Sequence, residues 1–510
     1  MIKSNGGIIG PDNVTTGGAF GSASGVFKLG EVTNLIKDSK WPTAGPQGYQ
    51  VANSCRFNSG SSDTLNRNPS GASNRKTYTI SFWVKRAKIG SRQSIFNNTD
   101  GSGQDGVYFD FQADDTFLFN DYGTGAYLTP RFETTQVFRD TSAWYHIVYA
   151  VDTTQGTESN RVKIYVNGNQ VTNFDVANYP SLNQDTLWNR TDMIYIGTYT
   201  AGGNYLGAYL SEVINIDGLQ LDPTSFGEFN SQTGIWVPKS VTGLTFGTNG
   251  FYLPFTNASA LGEDFSGEDN DFTVNNLTSL DQSTDTCSTN FATLMHPGYD
   301  DAGNVWQNIL SEGNLFGAST SGGYSNYIGT IGLSTGKWYW ETKVTLSAAT
   351  NANSGTGIKS AEYTQRSAWQ SGSGSYYFST TGDIGNATTP GTSYGSAISS
   401  GNIVGVAYDA TNGVIWFSIN GTWQNSATIS EIEAGTTTNA AFSSIASGTY
   451  LPFGTDATGS RTFDYGFNFG SPFYAISSGN TDGNGFGNFE YSVPSGYLSI
   501  NTKNLAAVLA

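Results

Sequence analysis

Histidine, cysteine and cationic side chains are scarce in this 510-residue chain. Two histidines, His146 and His296, cannot supply the closely spaced pair that a zinc site uses. Cys55 and Cys287 are the only cysteines and lie far apart in sequence, which excludes a disulfide framework. Lys and Arg total 24 against 41 Asp and Glu, a formal charge of −17. That argues against nucleic acid or an anionic membrane as partner, because phosphate recognition needs clustered cations. The one local exception, Arg75 to Arg92, with six basic residues and no acid, reads as solvated strand ends. No stretch approaches 18 apolar residues, so no membrane-inserting helix is expected. "MIKSNGGIIG" lacks the apolar centre of a secretory signal, and none is expected. Long helical periodicity is missing as well; the best candidate, "GEVTNLIKDSK", is short.

Glycine (64 residues) and aromatics (14%) are abundant, and charged residues make up only 13%. Many aromatics and glycines with little Lys or Glu suit short strands joined by tight turns. The length predicts two or three domains. One phrase occurs twice: "IYVNGNQV" from 164 and "WFSINGTW" from 416. Each has period-two apolarity running into Asn-Gly, the residue pair of a two-residue type I′ hairpin. In both places a strand ending in Asp ("VYAVD", "VAYD") precedes the hairpin, so two sandwiches of similar topology are expected.

Residues 1–45 are Gly- and Ser-rich, with islands such as Ile8, Ile9, Phe20 and Phe27 that are too small for a core. They predict an extended arm that orders against another surface. Strand signals over 46–236, including "KTYTISFWVKR" and "WYHIVYAVD", predict an antiparallel sandwich. Residues 237–310 carry nine acids between Glu263 and Asp301 and no Lys or Arg there; they read as a mostly irregular connector. Residues 311–476 predict the second sandwich, and 477–510 a tail. The fold class is therefore all-β: two antiparallel jelly-roll sandwiches and an N-terminal arm.

The first sandwich resembles the laminin-G-like, concanavalin A-like jelly roll through "YTISFWVKR", "WYHIVYAVD", "VKIYVNGNQV" and "YLSEVINIDGLQLD". The second resembles a SPRY domain through "LSEGNL", "GKWYWETKV", "IVGVAYDATNGVIWFSINGTW" and "FNFGSPF", in the family's order. The flanking phrases "SGVFKLGEVTNLIKDSKWP", "NDFTVNNLTSLDQSTDTCSTNFATL" and "VPSGYLSINTKNLA" look like those of structural proteins from tailed phages of aquatic bacteria. That resemblance implies a virion protein, assembled in the host cytoplasm. It would contact other virion proteins through residues 1–45, form a homo-oligomer, and serve as a tail fibre or capsid-attached fibre.

Catalysis is not expected. None of the 13 Glu has Asp two residues later, which removes the Glu-x-Asp-x-x-Glu pattern of sandwich glycosidases. "GLSTG" (332–336) and "GTSYG" (391–395) match G-x-S-x-G, but no helix pattern follows either, as a nucleophile elbow needs. His146 shares a strand face with Trp144 and Val148 and reads as a packed, hydrogen-bonded residue. No other cofactor is expected. Calcium is the one open cation: laminin-G-like domains hold it with loop oxygens, and "DGSGQDG" and "GEDFSGEDND" offer Asp100, Asp105, Asp269 and Asp271.

Binding is the remaining chemistry. Sugars stack on aromatic faces and take hydrogen bonds from loops. The segment 359–396 offers Tyr363, Arg366, Trp369 and Tyr394, with Trp369 the expected anchor. "NDYGTGAYLTPRF" offers Tyr122, Tyr127 and Arg131 in the first sandwich. The expectation is a non-enzymatic protein that binds a host-surface glycan or receptor. Its rivals are a structural cement protein and, from another class, an envelope polysaccharide depolymerase.

Overall fold

The computed structural model describes residues 48–101, 105–200, 202–231, 233–295, 308–319, 325–347, 350–362, 374–386, 391–456 and 463–509. It also describes the backbone of a two-stranded antiparallel ribbon, Ile8–Gly10 with Gly25–Phe27. The rest of the expected arm lies outside these residues. The chain divides into two compact units, Met1–Asn290 and Phe291–Ala510.

The first unit contains strands β1 (Ser54–Phe57), β2 (Thr64–Arg67), β3 (Thr77–Arg86), β4 (Gln93–Thr99), β5 (Asp105–Phe111), β6 (Phe117–Gly123), β7 (Ala126–Thr134) and β8 (Trp144–Asp152). They are followed by β9 (Val162–Val166), β10 (Asn169–Gln170), β11 (Phe174–Asn178), β12 (Met193–Ile196), β13 (Ala208–Asp217), β14 (Phe251–Leu253), β15 (Thr273–Asn275) and β16 (Gln282–Ser283). One sheet runs β10-β9-β8-β3-β13-β1-β16, with β14 also on β13; the other runs β11-β7-β6-β5-β4-β12-β2-β15. Alternation dictates the core. On β3, Tyr78, Ile80, Phe82 and Val84 point inward and meet a cross-strand row of Phe96, Phe109, Phe119 and Phe132 from the facing sheet.

The outer face of the β3 sheet is apolar too, and it is covered. Val148, Ile214 and Ile216 pack under Phe226, Val241 and Phe246, while Trp83, Trp144 and Tyr209 cluster with Trp236. Residues 237–290 thus differ from an irregular connector: they cap this face, add β14, β15 and β16, and belong to the first unit. They are held by apolar residues, Phe251, Leu253, Phe255, Leu261, Phe272 and Leu277 joining the core, and by buried polar contacts as well. Asp285 accepts from Lys85 Nζ at 2.8 Å and from Trp144 Nε1 at 3.2 Å. The basic stretch differs from solvated strand ends for the same reason. Lys85 and Arg86 are buried, paired with Asp285 and with Asp115 at 3.0 Å.

The second unit contains β17 (Leu294–Met295), β18 (Asn308–Ser311), β19 (Phe316–Ser319), β20 (Ser325–Gly329), β21 (Lys337–Leu346), β22 (Gly355–Ser360) and β23 (Ser375–Ser379). Then come β24 (Asp383–Gly385), β25 (Thr392–Ser393), β26 (Ile403–Asp409), β27 (Val414–Ile419), β28 (Thr422–Trp423), β29 (Tyr450–Asp456) and β30 (Phe463–Asn468). Its sheets run β17-β20-β29-β22-β23-β24-β25 and β18-β19-β30-β21-β26-β27-β28. The tail is part of this fold. Leu498 bridges Trp338, Ile500 joins the core, and buried Glu341 accepts from the backbone N–H of Glu490 (3.0 Å) and Tyr491 (2.8 Å).

The repeated phrase occupies equivalent places. β8-β9-β10 and β26-β27-β28 each form one edge of a sheet and end in a two-residue turn. Asn167 and Gly168 have φ of 48° and 78°; Asn420 and Gly421 have 48° and 77°. Each Asn side chain also accepts from the first strand, Asn167 from His146 N at 2.7 Å and Asn420 from Ile403 N at 2.9 Å.

Candidate functional site

Where Phe96, Phe109, Phe119 and Phe132 point inward, alternation sends their neighbours outward. Asn97, Tyr108, Asn120 and Arg131 form a cross-strand row on β4 to β7. Around that row runs a continuous series of rings. Tyr199 stacks on Tyr108 (4.8 Å between centroids), Tyr108 meets Tyr122 edge to face (6.0 Å), and Tyr122 meets Tyr127 (5.5 Å). Cations close both ends: Arg92 lies 5.2 Å from the Tyr199 ring and Arg131 3.9 Å from the Tyr127 ring.

A β-bulge builds the outer end. Asn120 faces Arg131 and Tyr122 faces Tyr127, so Asp121 alone stands opposite Leu128, Thr129 and Pro130. Proline fits there because a bulge does not ask it for a ladder hydrogen bond. Tyr127 is 52% exposed, the largest apolar surface of the series. Charge on the face is paired off: Arg92 donates to Asp110 at 2.8 Å, and Arg131 lies 3.5 Å from Glu133. Burial raises the Asp110 carboxyl pKa, and Arg92 opposes that shift. Asn97 is fully buried, and neither its amide nitrogen nor its oxygen has a hydrogen-bond partner. Tyr108 and Asn120 are buried as well, so the surface presents the rings and phenols of Tyr122, Tyr127 and Tyr199 rather than a free charge.

Behind it lies Asp121, on the inward face of β6. Its Oδ2 accepts from Leu187 N at 2.8 Å, and its Oδ1 has no partner. Burial pushes its carboxyl up to about 8.

Tyr122, Tyr127 and Arg131, offered by the sequence as binding candidates, lie together here, and Tyr199 and Arg92 extend the series. Tyr199 sits just past a strand and a glycine, in "MIYIGTYT", a weak signal; Arg92 was masked by its basic neighbours. Tyr363, Arg366 and Trp369 lie outside the described residues. Tyr394 is a correction. It is 5% exposed, packs edge to face on Phe378 (5.8 Å), and its phenol donates to Asn439 O at 3.3 Å. The turn after β25, pinned by Tyr394 N to Gly382 O, swings the ring into the core, where no ligand reaches it.

Of the calcium candidates, Asp105 receives Arg190 at 3.2 Å and Asp271 accepts from Asp264 N at 2.8 Å, while Asp269 and Asp100 are exposed. Asp264, not singled out by sequence, organises its loop by accepting from Tyr252 N, Ser266 N and Asn270 N. Among the described residues, no group of three or more His, Cys, Asp or Glu is placed to hold a metal ion. Neither G-x-S-x-G stretch is a strand-to-helix elbow: "GLSTG" leads into β21 and "GTSYG" contains β25. His146 is the packed residue its strand face implied. It stacks on Trp83 (4.7 Å), accepts from Trp236 Nε1 at Nδ1 (3.0 Å) and lies 2.9 Å from Ser81 Oγ. Burial lowers its pKa to about 3.

Residues 59–215 match the family model described as the Concanavalin A-like lectin/glucanases superfamily, and residues 337–446 match that of the SPRY domain. No curated protein matches the chain. Among solved structures, it is similar to the native heptameric SAP-like pentraxin from Limulus polyphemus, at 17% identity and TM-score 0.24, over 34% of this chain and 74% of that one. It is also similar to the SPRY domain of human HERC1, at 13% identity and TM-score 0.25, over 31% of this chain and 91% of that one. The chain is an all-β protein that joins a concanavalin A-like domain to a SPRY domain.

Proposed function

We propose that this is a non-enzymatic binding protein whose first sandwich takes neutral carbohydrate on the Tyr122–Tyr127–Arg131 face. The observation that carries the reading is the half-exposed Tyr127 ring, held flat by Arg131 at 3.9 Å in a patch whose arginines are already paired with carboxylates. A pyranose C–H face stacks on such a ring and takes its hydroxyl hydrogen bonds from neighbouring phenols, Tyr122 and Tyr199 being partly exposed beside it. In the virion setting that the flanking phrases imply, the ligand is a host-surface glycan, and residues 1–45 join the protein to the particle. A glycan array with wild type and Tyr127→Ala tests the binding. The expected result is retention of a neutral glycan by wild type and a loss of about tenfold in the variant, as removal of about 1.4 kcal/mol of stacking gives. Wild-type protein that retains no glycan would reject the reading and favour a cement role. Release of sugar from host envelope by the protein would instead reveal a depolymerase.

A further inference from the structure

Tyr127 and Arg131 are four residues apart on one strand. In a regular strand, side chains so spaced stand about 13 Å apart, too far to stack. The bulge removes that separation. With Leu128, Thr129 and Pro130 all opposite Asp121, Tyr127 and Arg131 face Tyr122 and Asn120, two residues apart on β6, so they occupy adjacent places on the outer face. The 3.9 Å stack exists only while the bulge keeps this form.

One side chain outside the sheet holds it. Gln184 lies in the segment between β11 and β12. Its Nε2 donates to Thr129 O, and its Oε1 accepts from Thr129 Oγ1 at 3.1 Å. The same Oε1 accepts from Ser181 N at 2.8 Å, which fixes the amide's orientation. The segment is anchored in turn: Gln184 O accepts from Thr153 Oγ1 at 2.8 Å, and Leu187 N donates to Asp121 Oδ2 at 2.8 Å. Thr129 is thus gripped through both its carbonyl and its hydroxyl by a residue tied to the end of β8 and to the strand opposite the bulge.

We infer that Gln184 is a positioning residue for the ligand face: its amide clamps Thr129 and so sets the Tyr127–Arg131 platform, without touching ligand itself. This rests on the carbohydrate reading for its purpose but not for its geometry, and the test separates the two. Protein labelled with 3-fluorotyrosine gives a Tyr127 ¹⁹F resonance, assigned through Tyr127→Phe. In wild type, Arg131→Met should shift that resonance. Gln184→Met, which keeps the side-chain length and removes the hydrogen bonds, should shift it as far on its own. Adding Arg131→Met should then move it no further, while buried tyrosines such as Tyr78 and Tyr149 keep their positions. Gln184→Glu, which still accepts from Thr129 Oγ1 and Ser181 N, should fall between. A Tyr127 resonance unmoved by Gln184→Met, or one still responding fully to Arg131→Met in that background, would overturn the inference. If Gln184→Met does not fold, Thr129→Val removes one of the two clamp bonds and is read the same way. No ligand enters this measurement, so an array on which wild type retains nothing would sink the carbohydrate reading and leave the clamp standing. If wild type does retain a glycan, Gln184→Met should weaken it about tenfold, as Tyr127→Ala does.

Discussion

Valine at Gly168 and at Gly421 perturbs the two copies of one turn, and the structure says the costs differ. Both glycines have φ near +78°, where a β-carbon is disfavoured by about 1–2 kcal/mol. At Gly421 an added Cβ would lie 2.6 Å from Tyr491 Cδ1, on a partly exposed ring that can shift. At Gly168 it would lie 2.3 Å from Trp236 Cε3, on an indole that is 8% exposed and donates to His146. Moving that indole adds overpacking of about 1–3 kcal/mol and the loss of a buried hydrogen bond, about 1 kcal/mol. Gly421→Val should therefore cost about 2 kcal/mol and Gly168→Val about 3–6 kcal/mol. Urea unfolding followed by tryptophan fluorescence measures both. Equal costs, or a larger one at Gly421, would refute the role assigned to Trp236. No cost at either would refute the type I′ turns themselves.

His146 titrates at about 3 when folded against an ordinary 6.5, so its contribution is complete above pH 6.5 and is lost as pH falls toward 3. Relative to His146→Gln, wild type should lose about 1.4 kcal/mol per pH unit in that window, read from urea midpoints. Asp121 is the opposite case: its folded pKa of about 8 lies above the ordinary 3.8, so stability fully present below pH 3.8 is lost as pH rises from there to about 8. Asp121→Asn can still accept from Leu187 N; it should abolish that slope between the two pKa values and make the protein more stable than wild type at pH 8. Asp285→Ala would leave the buried Lys85 ammonium without its carboxylate, though still donating to Asn290 Oδ1 at 2.7 Å, and should cost about 3 kcal/mol, whereas the double change with Lys85→Met should recover much of it.

Much of the architecture was legible because it depends on local physics. Period-two apolarity places Ile80, Phe82, Phe109 and Phe119 inward whatever surrounds them, and Asn-Gly is suited to positive φ at both turn positions before any tertiary contact forms. The Tyr122–Tyr127–Arg131 grouping was legible for a related reason, since its members sit on one hairpin. Tyr394 was misread because an aromatic in a Gly/Ser-rich loop looks the same in sequence whether the turn swings it outward or, as here, into the core.

Sequence alone thus determined the strands, their faces and the twin hairpins. Tertiary structure decided what covers each sheet and how the site is set. Residues 237–290 dock through Asp285 on Lys85 and Trp144, partners about 140 to 200 positions away that no local pattern can pair. The stack of Arg131 on Tyr127 depends on a bulge held by Gln184, 55 residues from Thr129. Burial then changes the chemistry: the desolvation that raises Asp121 and lowers His146 belongs to the packed interior, where a charge written plainly in the sequence loses the water that stabilises it.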